Sequence, residues 1–366
     1  MKLLIVSPRY HPHIGGVQYV VKSIAKALIK VGHDVTILAG EPETKKCHEE
    51  LAGKIKVIRW PTWAPWNAYH IPRDMNELGR KLKELFREVD VIHVHSAHAV
   101  LPVYLGVKAK ELRPDVDVVF SPHYHAHGHT PIRELFWRIL WRRYVGKLVK
   151  YADKIHAVSV VEAERIVKHY PEAKDKLSII PNGVEEDVFQ YRWKGWNSDY
   201  IMYAGRIEKY KRLETAVDLV AELNMRGDHL RLLIVGQGPH LSKIKRYAQN
   251  KVPDKVEFMP PLPRKEYLEL IANASAVINP SRHEAFSIFI AESLAIGTPA
   301  IVSPTIEKIY RNRGSSELHP HLTALSSIAR KLGLKILVDH GLEIKTWSQV
   351  AEEILQTVYR LSLIHI

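Results

Sequence analysis

Short apolar runs alternate with amphipathic stretches along the first half of this chain. Residues 3–7 predict a buried strand, and Val17–Val31 carries apolar positions at helical spacing. Gly32 ends that helix, and Val35–Ala39 predicts the next strand. Further strands are predicted at Val91–His95, Val118–Ser121, Ile155–Ser159 and Ser178–Ile180. Apolar strands that alternate with helices predict a parallel sheet covered by helices on both faces.

A polar, aromatic connector at Glu185–Asp199 interrupts this pattern, which then restarts. The second series has a helix near 213–225 and strands at Tyr200–Ala204, Leu230–Val235, Val256–Phe258, Ala276–Ile278 and Ala300–Val302. The fold class is therefore α/β, with two doubly wound, Rossmann-like domains at 1–190 and 191–345. A last helix, about Thr346 to Leu361 within segment 346–366, is expected to pack back on the first domain. Ligands of such sheets bind at the carboxyl ends of the strands, so we expect the site in the interdomain cleft.

Charge and cysteine content narrow the class of protein. The chain has 366 residues and a formal net charge of +13, which favours anionic partners. Its single cysteine, Cys47, allows no internal disulfide and no cysteine metal site. The apolar run at the start of the chain is too short for a secretory signal, and we find no apolar run long enough to span a membrane. We expect a cytoplasmic protein, either free or peripheral at the membrane face. The Lys, Arg and Glu content is compatible with a thermophilic source.

Two glutamates eight residues apart, Glu284 and Glu292, follow the strand end Ser275–Asn279. A strand that turns into a helix offers unpaired backbone N–H groups to an anion. If residues 284 to 292 were helical, the carboxylates would lie about 12 Å apart, which matches the span of an extended nucleotide-sugar. The alternative is that both are solvated glutamates on a helix.

Glycines occupy several strand-to-helix junctions. Gly15 and Gly16 precede the first helix and would let backbone approach a ligand closely, although a simple tight turn is the alternative. Gly236 and Gly238 supply only two of the three glycines of a dinucleotide fingerprint. The sequence therefore argues against a dehydrogenase.

Two cations follow the first strand of the second domain. Arg206 comes directly after Gly205, and Lys211 lies five residues further on. At the carboxyl end of a strand, these side chains could neutralise a diphosphate, Arg206 by bidentate hydrogen bonds and Lys211 as a point charge. The alternative is two solvated surface cations.

His123 begins a run of alternating histidines that continues at His125, His127 and His129. Such a run suggests a metal site. However, the run has no neighbouring carboxylate or cysteine, and alternation along a strand would place its members on opposite faces. We predict no metal site and expect one histidine to line the cleft.

The segment 133–154 predicts a basic, aromatic helix. Seven Lys and Arg residues against one Glu and one Asp give it a net charge of +5. Such a stripe could dock on an anionic membrane surface. The alternative is a packed helix with a solvated basic face. We expect no nucleic-acid partner, because the chain shows no recognised nucleic-acid-binding module.

Taken in order, the motifs of the chain resemble glycosyltransferase family 4 of the GT-B fold. They are Gly15-Gly16, Gly32-His33-Asp34-Val35-Thr36, Ser121-Pro122-His123, Ile180-Pro181-Asn182-Gly183, Gly205-Arg206 with Lys211, Gly236-x-Gly238-Pro239, and Glu284-x-Phe286 with Glu292. The resemblance covers nearly the whole chain to about Ser303. It implies a retaining transferase that moves a sugar from a nucleotide-diphosphate sugar to a sugar, glycan or lipid-linked acceptor, with no metal and no cofactor besides the donor.

The resemblance also implies a role for each site residue. Arg206 and Lys211 would hold the diphosphate and stabilise charge on the leaving group. Glu284 would hold sugar hydroxyls together with backbone N–H groups of Phe286 and Ser287, and Glu292 would bind the ribose. On the first-domain side, His123 would lie near the sugar and Gly16 near the phosphate. The catalytic set is thus His123, Glu284, Arg206 and Lys211, and the donor-binding set is Gly15, Gly16, Gly205, Gly236, Gly238, Phe286, Ser287 and Glu292.

The chain departs from the family pattern in two places. Ser287 stands where the family usually has glycine, and Val302-Ser303-Pro304 lacks the usual Gly-Gly stretch. The region from 304 to 340 is also short or rearranged. These departures keep two alternatives open: a GT-B protein that binds a nucleotide-sugar or an anionic partner without transfer, and a GT-B epimerase or sugar-phosphate synthase.

Overall fold

The computed structural model describes residues 1–13, 15–65, 69–124, 141–196, 198–310, 322–338 and 343–359. The chain divides into two compact units. The first unit comprises Met1–Asn182 together with Trp347–Ile366, and the second comprises Gly183–Thr346. The first boundary thus falls after Asn182, whereas the sequence placed it at 190/191.

The first unit contains a largely parallel sheet covered by helices. Its elements are β1 (Lys2–Ser7), α1 (Gly16–Lys30), β2 (Asp34–Glu41), β3 (His48–Ala52), β4 (Ile55–Trp63), β5 (Ile71–Pro72), α2 (Met75–Arg87), β6 (Val91–His95), α3 (Val100–Leu112), β7 (Asp117–Ser121), α4 (Arg142–Tyr151), β8 (Lys154–Ala157), α5 (Val160–His169) and β9 (Leu177–Ile179). The strand order is β3-β4-β2-β1-β6-β7-β8-β9, and β5 pairs with β4. The chain winds outward in both directions from β1 and β6, so the topological switch point lies between these two strands.

The second unit repeats this plan with six strands. Its elements are β10 (Tyr200–Ala204), α6 (Leu213–Met225), β11 (Arg231–Val235), α7 (Leu241–Lys251), β12 (Val256–Met259), α8 (Arg264–Asn273), β13 (Ala276–Asn279), α9 (Ile288–Ile296), β14 (Ala300–Val302), α10 (Pro304–Tyr310), α11 (Leu322–Lys331) and β15 (Lys335–Leu337). The strand order is β12-β11-β10-β13-β14-β15. The switch point lies between β10 and β13. The α/β fold with two doubly wound sheets is therefore confirmed.

The central strands are apolar on both faces because helices cover both sides of each sheet. Leu4 and Ile5 on β1 are fully buried, as are Ile201 on β10 and Ile278 on β13. Burying each such side chain contributes about 1.5–3 kcal/mol. Buried polar residues such as Ser7, His95 and Ser121 lie at the carboxyl ends of their strands.

The last described helix, α12 (Trp347–Thr357), belongs to the first unit and packs against α1. The rings of Tyr19 and Trp347 meet edge to face with their centroids 6.0 Å apart. Just after α12, the Tyr359 hydroxyl donates a hydrogen bond of 2.6 Å to His93 Nδ1 on β6. The end of the described chain is thus anchored inside the first unit. None of the helices in the described ranges is both long and apolar enough to cross a lipid bilayer.

Candidate functional site

The switch point of the second unit brings two of the predicted residues into contact. Lys211 lies in a short turn after β10, and Glu284 lies in the loop between β13 and α9. The Lys211 ammonium donates a hydrogen bond to the Glu284 carboxylate, and the two side chains are only 13% and 10% exposed. A backbone bond of 3.1 Å from Arg282 N to the Tyr210 carbonyl joins the same two loops. The pair is therefore held at the point where a doubly wound sheet binds its ligand.

The neighbouring carboxylate keeps the Lys211 side chain positively charged. Burial alone would lower the pKa of the Lys211 ammonium, but the adjacent Glu284 carboxylate outweighs it, and the pKa stands above its ordinary value. The ammonium also lies 5.0 Å from the ring centre of Tyr210, where the π-face attracts a cation. Lys211 is thus a fixed positive charge at this sheet edge.

The helix that carries Glu292 begins after Glu284, so the two glutamates do not share one helix. α9 starts at Ile288, and Ser287 precedes it in an extended conformation, so residues 284–287 form a loop. A helix over 284–292, the condition on which the 12 Å separation rested, is therefore not present, and that separation does not apply. The cause is local: Asn279 Nδ2 donates to Ser287 Oγ at 3.0 Å, and the Tyr310 hydroxyl donates to the Ser287 carbonyl at 2.6 Å.

These contacts leave the first turn of α9 without a side-chain cap from its N-cap residue. Ser287 Oγ accepts from Asn279 instead of from the helix, and the Phe286 ring packs 5.4 Å from the ring of Tyr310. Unpaired N–H groups at a helix start attract anions. The loop that carries Phe286 and Ser287 is therefore anchored, and the Ser287 side chain does not cap the first turn of α9.

Glu292 is almost completely buried, with 2% of its surface exposed, and it has partners that the sequence did not predict. Its carboxylate accepts hydrogen bonds from the Arg264 guanidinium and, at 2.6 Å, from the Tyr267 hydroxyl. Arg264 also binds Asp187 through two bonds of 2.9 and 3.1 Å. Burial raises the pKa of Glu292 above its ordinary value, and Arg264 and Tyr267 counteract only part of that rise.

Arg206 is arranged differently from Lys211. Its side chain is 58% exposed, and its guanidinium contacts Glu208 rather than Glu284. The Tyr203 hydroxyl fixes the backbone here by donating to the Arg206 carbonyl at 2.9 Å. The structure thus places the two predicted diphosphate ligands in one loop but does not bring their charged groups to one partner.

The glycines of the second unit have a packing role that the sequence did not reveal. A Cβ atom on Gly236 would lie 2.0 Å from the Gly205 carbonyl oxygen, and one on Gly238 would lie 2.3 Å from that of Ile207. The two loops are joined by a backbone bond of 2.9 Å from Ile207 N to the Gln237 carbonyl. Gly236 and Gly238 are required because backbone touches backbone at these positions.

Gly15 and Gly16 occupy the first helix junction of the first unit. Gly15 is the N-cap of α1, and its carbonyl accepts from Tyr19 N at 3.0 Å. A Cβ on Gly16 would meet no other atom of the described residues within 4 Å, apart from its chain neighbours. Packing within the described chain therefore does not require glycine at 16.

His123 follows β7 with a left-handed backbone, φ 47°, and is 7% exposed. Its Nε2 lies 3.0 Å from His95 Nδ1 at the end of β6. Burial, reinforced by neighbouring histidines, lowers the pKa of His123 to about 3. The next backbone N–H, that of Tyr124, donates to the Glu162 carboxylate at 2.5 Å. His125, His127 and His129 lie outside the described residues.

A chain of hydrogen bonds runs through the buried polar groups behind His123. Burial keeps His93 and His156 neutral by lowering their pKa values. His156 Nε2 must donate to the Ile180 carbonyl (2.8 Å), so its Nδ1 accepts from the Ser121 hydroxyl (2.8 Å). Ser121 Oγ then accepts from His93 Nε2 (2.7 Å), and His93 Nδ1 accepts from Tyr359 (2.6 Å). One carbonyl thus fixes the direction of four bonds.

One group of possible metal ligands occurs in the described residues. His13, Glu41 and Glu43 bring ligand atoms within 4.8 Å of one another. Arg59 donates to Glu41 at 3.0 Å, and Arg9 donates to Glu43 at 3.3 Å. Both carboxylates are thus already paired with guanidinium groups, which oppose a divalent cation. That the protein uses no metal stays a prediction.

The basic segment 133–154 is described only from residue 141 onward. There, Arg142 donates to the His169 carbonyl at 3.1 Å, and Lys147 pairs with Glu111 at 2.7 Å. Arg143 and Lys150 are exposed. Part of the basic face is therefore engaged within the protein. In the atypical region 304–340, residues 311–321 and 339–340 lie outside the described part.

Two doubly wound units of this type are the architecture of the GT-B fold. Solved structures with the same fold include the sucrose-phosphate synthase of Thermosynechococcus elongatus, with a TM-score of 0.73, 18% identity and 97% of each chain covered. Another is WaaG, a glycosyltransferase involved in lipopolysaccharide biosynthesis, with a TM-score of 0.62, 17% identity, and 97% of this chain and 95% of that chain covered.

Sequence comparison gives the family. Residues 14–188 match Glycosyltransferase Family 4, and residues 186–309 match Glycosyl transferases group 1. The MMP alpha-(1->4)-mannosyltransferase of Mycolicibacterium hassiacum is 24% identical over 83% of this chain and 81% of its own length. A GDP-mannose-dependent alpha-(1-6)-phosphatidylinositol dimannoside mannosyltransferase of Mycobacterium tuberculosis is 24% identical over 83% of this chain and 80% of its own. The chain belongs to the group 1 glycosyltransferases of family 4 and is a glycosyltransferase.

Proposed function

We propose that this enzyme transfers a sugar from a nucleotide-diphosphate sugar to a hydroxyl acceptor with retention of anomeric configuration and without a metal ion. The observation that carries the proposal is the buried Lys211–Glu284 pair at the switch point of the second unit. It lies on the same loops as the α9 N-terminus, which attracts anions. A site with a fixed cation, unpaired N–H groups and a carboxylate suits a diphosphate joined to a sugar.

Each residue has a chemical task in this proposal. Lys211 and Arg206 bind the diphosphate, and Glu284 accepts hydrogen bonds from sugar hydroxyls with the N–H groups of Phe286 and Ser287 as donors. Glu292 binds the ribose, since each of its oxygens can accept a second hydrogen bond beside those from Arg264 and Tyr267. Gly205, Gly236 and Gly238 shape the loops around these groups.

The bond changes balance without a protein general base. The bond between the anomeric carbon and the diphosphate oxygen breaks, and the acceptor oxygen bonds to that carbon on the same face. The acceptor proton passes to the departing phosphate oxygen. Lys211 and Arg206 stabilise the negative charge that develops on the leaving group, which is the largest contribution such a site can make. Glu284 is unsuited to act as the base because Lys211 already holds its carboxylate.

The first unit contributes the acceptor side in this proposal. Gly16 leaves open space beside the start of α1, and His123 offers an imidazole at the end of β7. We assign His123 a hydrogen bond to the transferred sugar. The acceptor is a sugar, a glycan or a lipid-linked sugar, and the relatives that act on mannose make a mannosyl donor the first one to test.

The test combines binding with product analysis. UDP-, GDP- and ADP-sugars are screened by thermal shift, because a ligand at 100 times its dissociation constant adds about 2.7 kcal/mol of stability. The stabilising donor is then incubated with sugar and lipid-linked acceptors, with added EDTA, and the anomeric configuration of the product is read by NMR. An inverted product or a requirement for metal would contradict the proposed mechanism. Donor binding with neither transfer nor donor hydrolysis would favour a non-catalytic binding protein. Release of a free epimer or a sugar phosphate would favour an epimerase or a sugar-phosphate synthase.

Membrane docking by segment 133–154 is a separate part of the proposal. The exposed Arg143 and Lys150 are the described residues that can be tested. Vesicles that contain anionic lipid should co-sediment the protein at low salt, and the Arg143→Glu/Lys150→Glu variant should bind less. The Lys54→Glu/Lys83→Glu variant, which changes two exposed lysines outside this segment, provides the matched control. Equal sedimentation with neutral and anionic vesicles would refute the docking.

A further inference from the structure

The imidazole of His95 is within hydrogen-bond distance of the His123 ring. His95 ends β6, is fully buried, and places its Nδ1 3.0 Å from His123 Nε2. The two rings stack with an interplanar angle of 21° and centroids 5.3 Å apart. On its other side, His95 contacts His93, whose ring centre lies 4.2 Å away. His95 therefore packs against two other imidazole rings.

Both histidines carry a single proton. Burial lowers the pKa of His95 well below its ordinary value and lowers that of His123 to about 3, with the neighbouring His93, His156 and His98 adding to these shifts. Each neutral ring has one nitrogen that donates and one that accepts. The His95–His123 hydrogen bond therefore has two arrangements, which differ in the ring that donates.

The second ring nitrogen of His95, Nε2, decides between the two arrangements of the His95–His123 hydrogen bond. His95 Nε2 is buried and has no hydrogen-bond partner among the residues that the structure describes. If His123 donated to His95 Nδ1, the proton of His95 would sit on Nε2 as a buried N–H without an acceptor. If His95 donates through Nδ1, Nε2 is left with only a lone pair. Orphaned buried N–H donors are rarer than unsatisfied acceptors, so the second arrangement is favoured.

We propose that His95 is a positioning residue: it donates from Nδ1 to His123 Nε2 and thereby fixes His123 as the tautomer that carries its proton on Nδ1. His123 Nδ1 then offers an N–H donor rather than a lone pair to an oxygen of the substrate. The last step rests on the proposed function, because it takes the sugar as the substrate at His123. The tautomer itself follows from the contacts of His95 alone.

Several contacts keep this arrangement in place. The Glu162 carboxylate accepts from Tyr124 N at 2.5 Å and from Val158 N at 2.7 Å, which holds the backbone on which His123 adopts its left-handed conformation. Behind His95, the hydrogen bonds of His93 to Ser121 and Tyr359 fix the ring against which it packs. The donor direction is thus built into the first unit before any ligand arrives.

The tautomer is measured directly by nitrogen NMR of the imidazole rings in the full-length protein without ligand. The His123 signals are assigned by their loss in His123→Gln. We expect the proton of His123 on Nδ1 in the wild type. His95→Asn places an amide N–H near the position of His95 Nδ1 and should retain that tautomer, whereas His95→Leu should shift His123 toward protonation on Nε2. A wild-type His123 protonated on Nε2, or an unchanged tautomer in His95→Leu, would overturn the proposal.

Kinetics separate this inference from the proposed function. His95→Leu should lower kcat/KM for the sugar donor about tenfold, the value of one hydrogen bond, while the affinity for the free nucleoside diphosphate stays unchanged. His95→Asn should restore the rate. If His95→Leu fails to fold, the wild-type and His95→Asn spectra still decide the tautomer. Normal transfer by His123→Gln would refute the proposed sugar contact but not the tautomer assignment. A wild-type His123 protonated on Nε2, in an enzyme that transfers sugar, would refute the tautomer assignment but not the proposed function.

Discussion

The ion pair between Lys211 and Glu284 permits a quantitative test of how the second unit is held together. Both side chains are largely buried, so neither charge is well solvated if its partner is lost. We consider Lys211→Met, Glu284→Gln and the double variant. Methionine keeps the length of the lysine stem, and glutamine keeps the shape of the carboxylate, so each change removes charge with little change in volume.

The expected magnitudes differ between the single and double variants. Removing one partner of a buried pair leaves an uncompensated charge and costs about 3–5 kcal/mol. Glu284→Gln retains an amide oxygen that can accept from Lys211, so its cost should lie at the lower end of that range. The double variant leaves no charge behind, and its stability should lie close to that of the wild type. With each single loss at about 3 kcal/mol or more and the double variant near zero, the cycle should give a coupling energy of about 6 kcal/mol.

Amide hydrogen exchange of β10 and β13 is the appropriate assay, because it reports the opening of the second unit even if the two units unfold separately. The matched control is the exposed pair Arg231–Asp199, with an N···O distance of 2.9 Å and side chains that are 43% and 62% exposed. Its cycle, with Arg231→Met and Asp199→Asn, should give less than about 1 kcal/mol. If the Lys211–Glu284 cycle gave no more coupling than this control, the reasoning from burial would be refuted.

Three further predictions concern packing and protonation. Gly16→Ala should fold with unchanged stability but lose transfer activity, because the methyl group fills the space proposed for the donor phosphate, and normal transfer by this variant would contradict that role. By contrast, Gly238→Ala should lower the melting temperature, because its Cβ would lie 2.3 Å from a backbone oxygen. Tyr359→Phe removes the donor to buried His93 Nδ1 and should cost about 1–3 kcal/mol in urea denaturation, and a smaller loss would show that this bond is dispensable. The pKa of His123 is lowered to about 3 in the folded protein, compared with 6.5 in the unfolded chain. The unfolded chain therefore takes up a proton at this histidine before the folded protein does, so stability is full above pH 6.5 and is lost as the pH falls from 6.5 toward 3. The free energy of unfolding of the first unit should therefore fall over this range by up to about 1.4 kcal/mol per pH unit for each such histidine, and a flat profile would refute the buried neutral state.

The sequence predicted strands that are buried on both faces of their sheets. Val91–His95, Tyr200–Ala204 and Ala300–Val302 have the predicted bounds, because a strand buried on both faces is a continuous apolar run. The hairpin of β3 (His48–Ala52) and β4 (Ile55–Trp63) was missed. β3 is an exposed edge strand with a polar sequence, and β4 contains a proline, so neither has the apolar run on which the prediction relied.

The site was predictable only where strand order determines contact. Lys211 and Glu284 follow the two strands that flank a switch point, so the sheet brings them together although 73 residues separate them in sequence. The partners of Glu292 could not be predicted, since Arg264 and Tyr267 come from a neighbouring helix with no motif of their own. The packing role of Gly236 depends on another loop, and no pattern within its own segment indicates it.

The contrast between Lys211 and Arg206 indicates which of the two side chains can leave its present partner when a diphosphate binds. Lys211 is buried against Glu284, and separating this pair would expose both charges to a large desolvation cost. Arg206 is 58% exposed, and its contact with Glu208 is of the kind that contributes only about 0–1 kcal/mol. Its guanidinium can therefore leave Glu208 for a phosphate at little cost and bind it bidentately. In the proposed reaction, Lys211 thus faces the diphosphate as a preorganised charge that stays paired with Glu284, and Arg206 is the ligand that moves to the diphosphate.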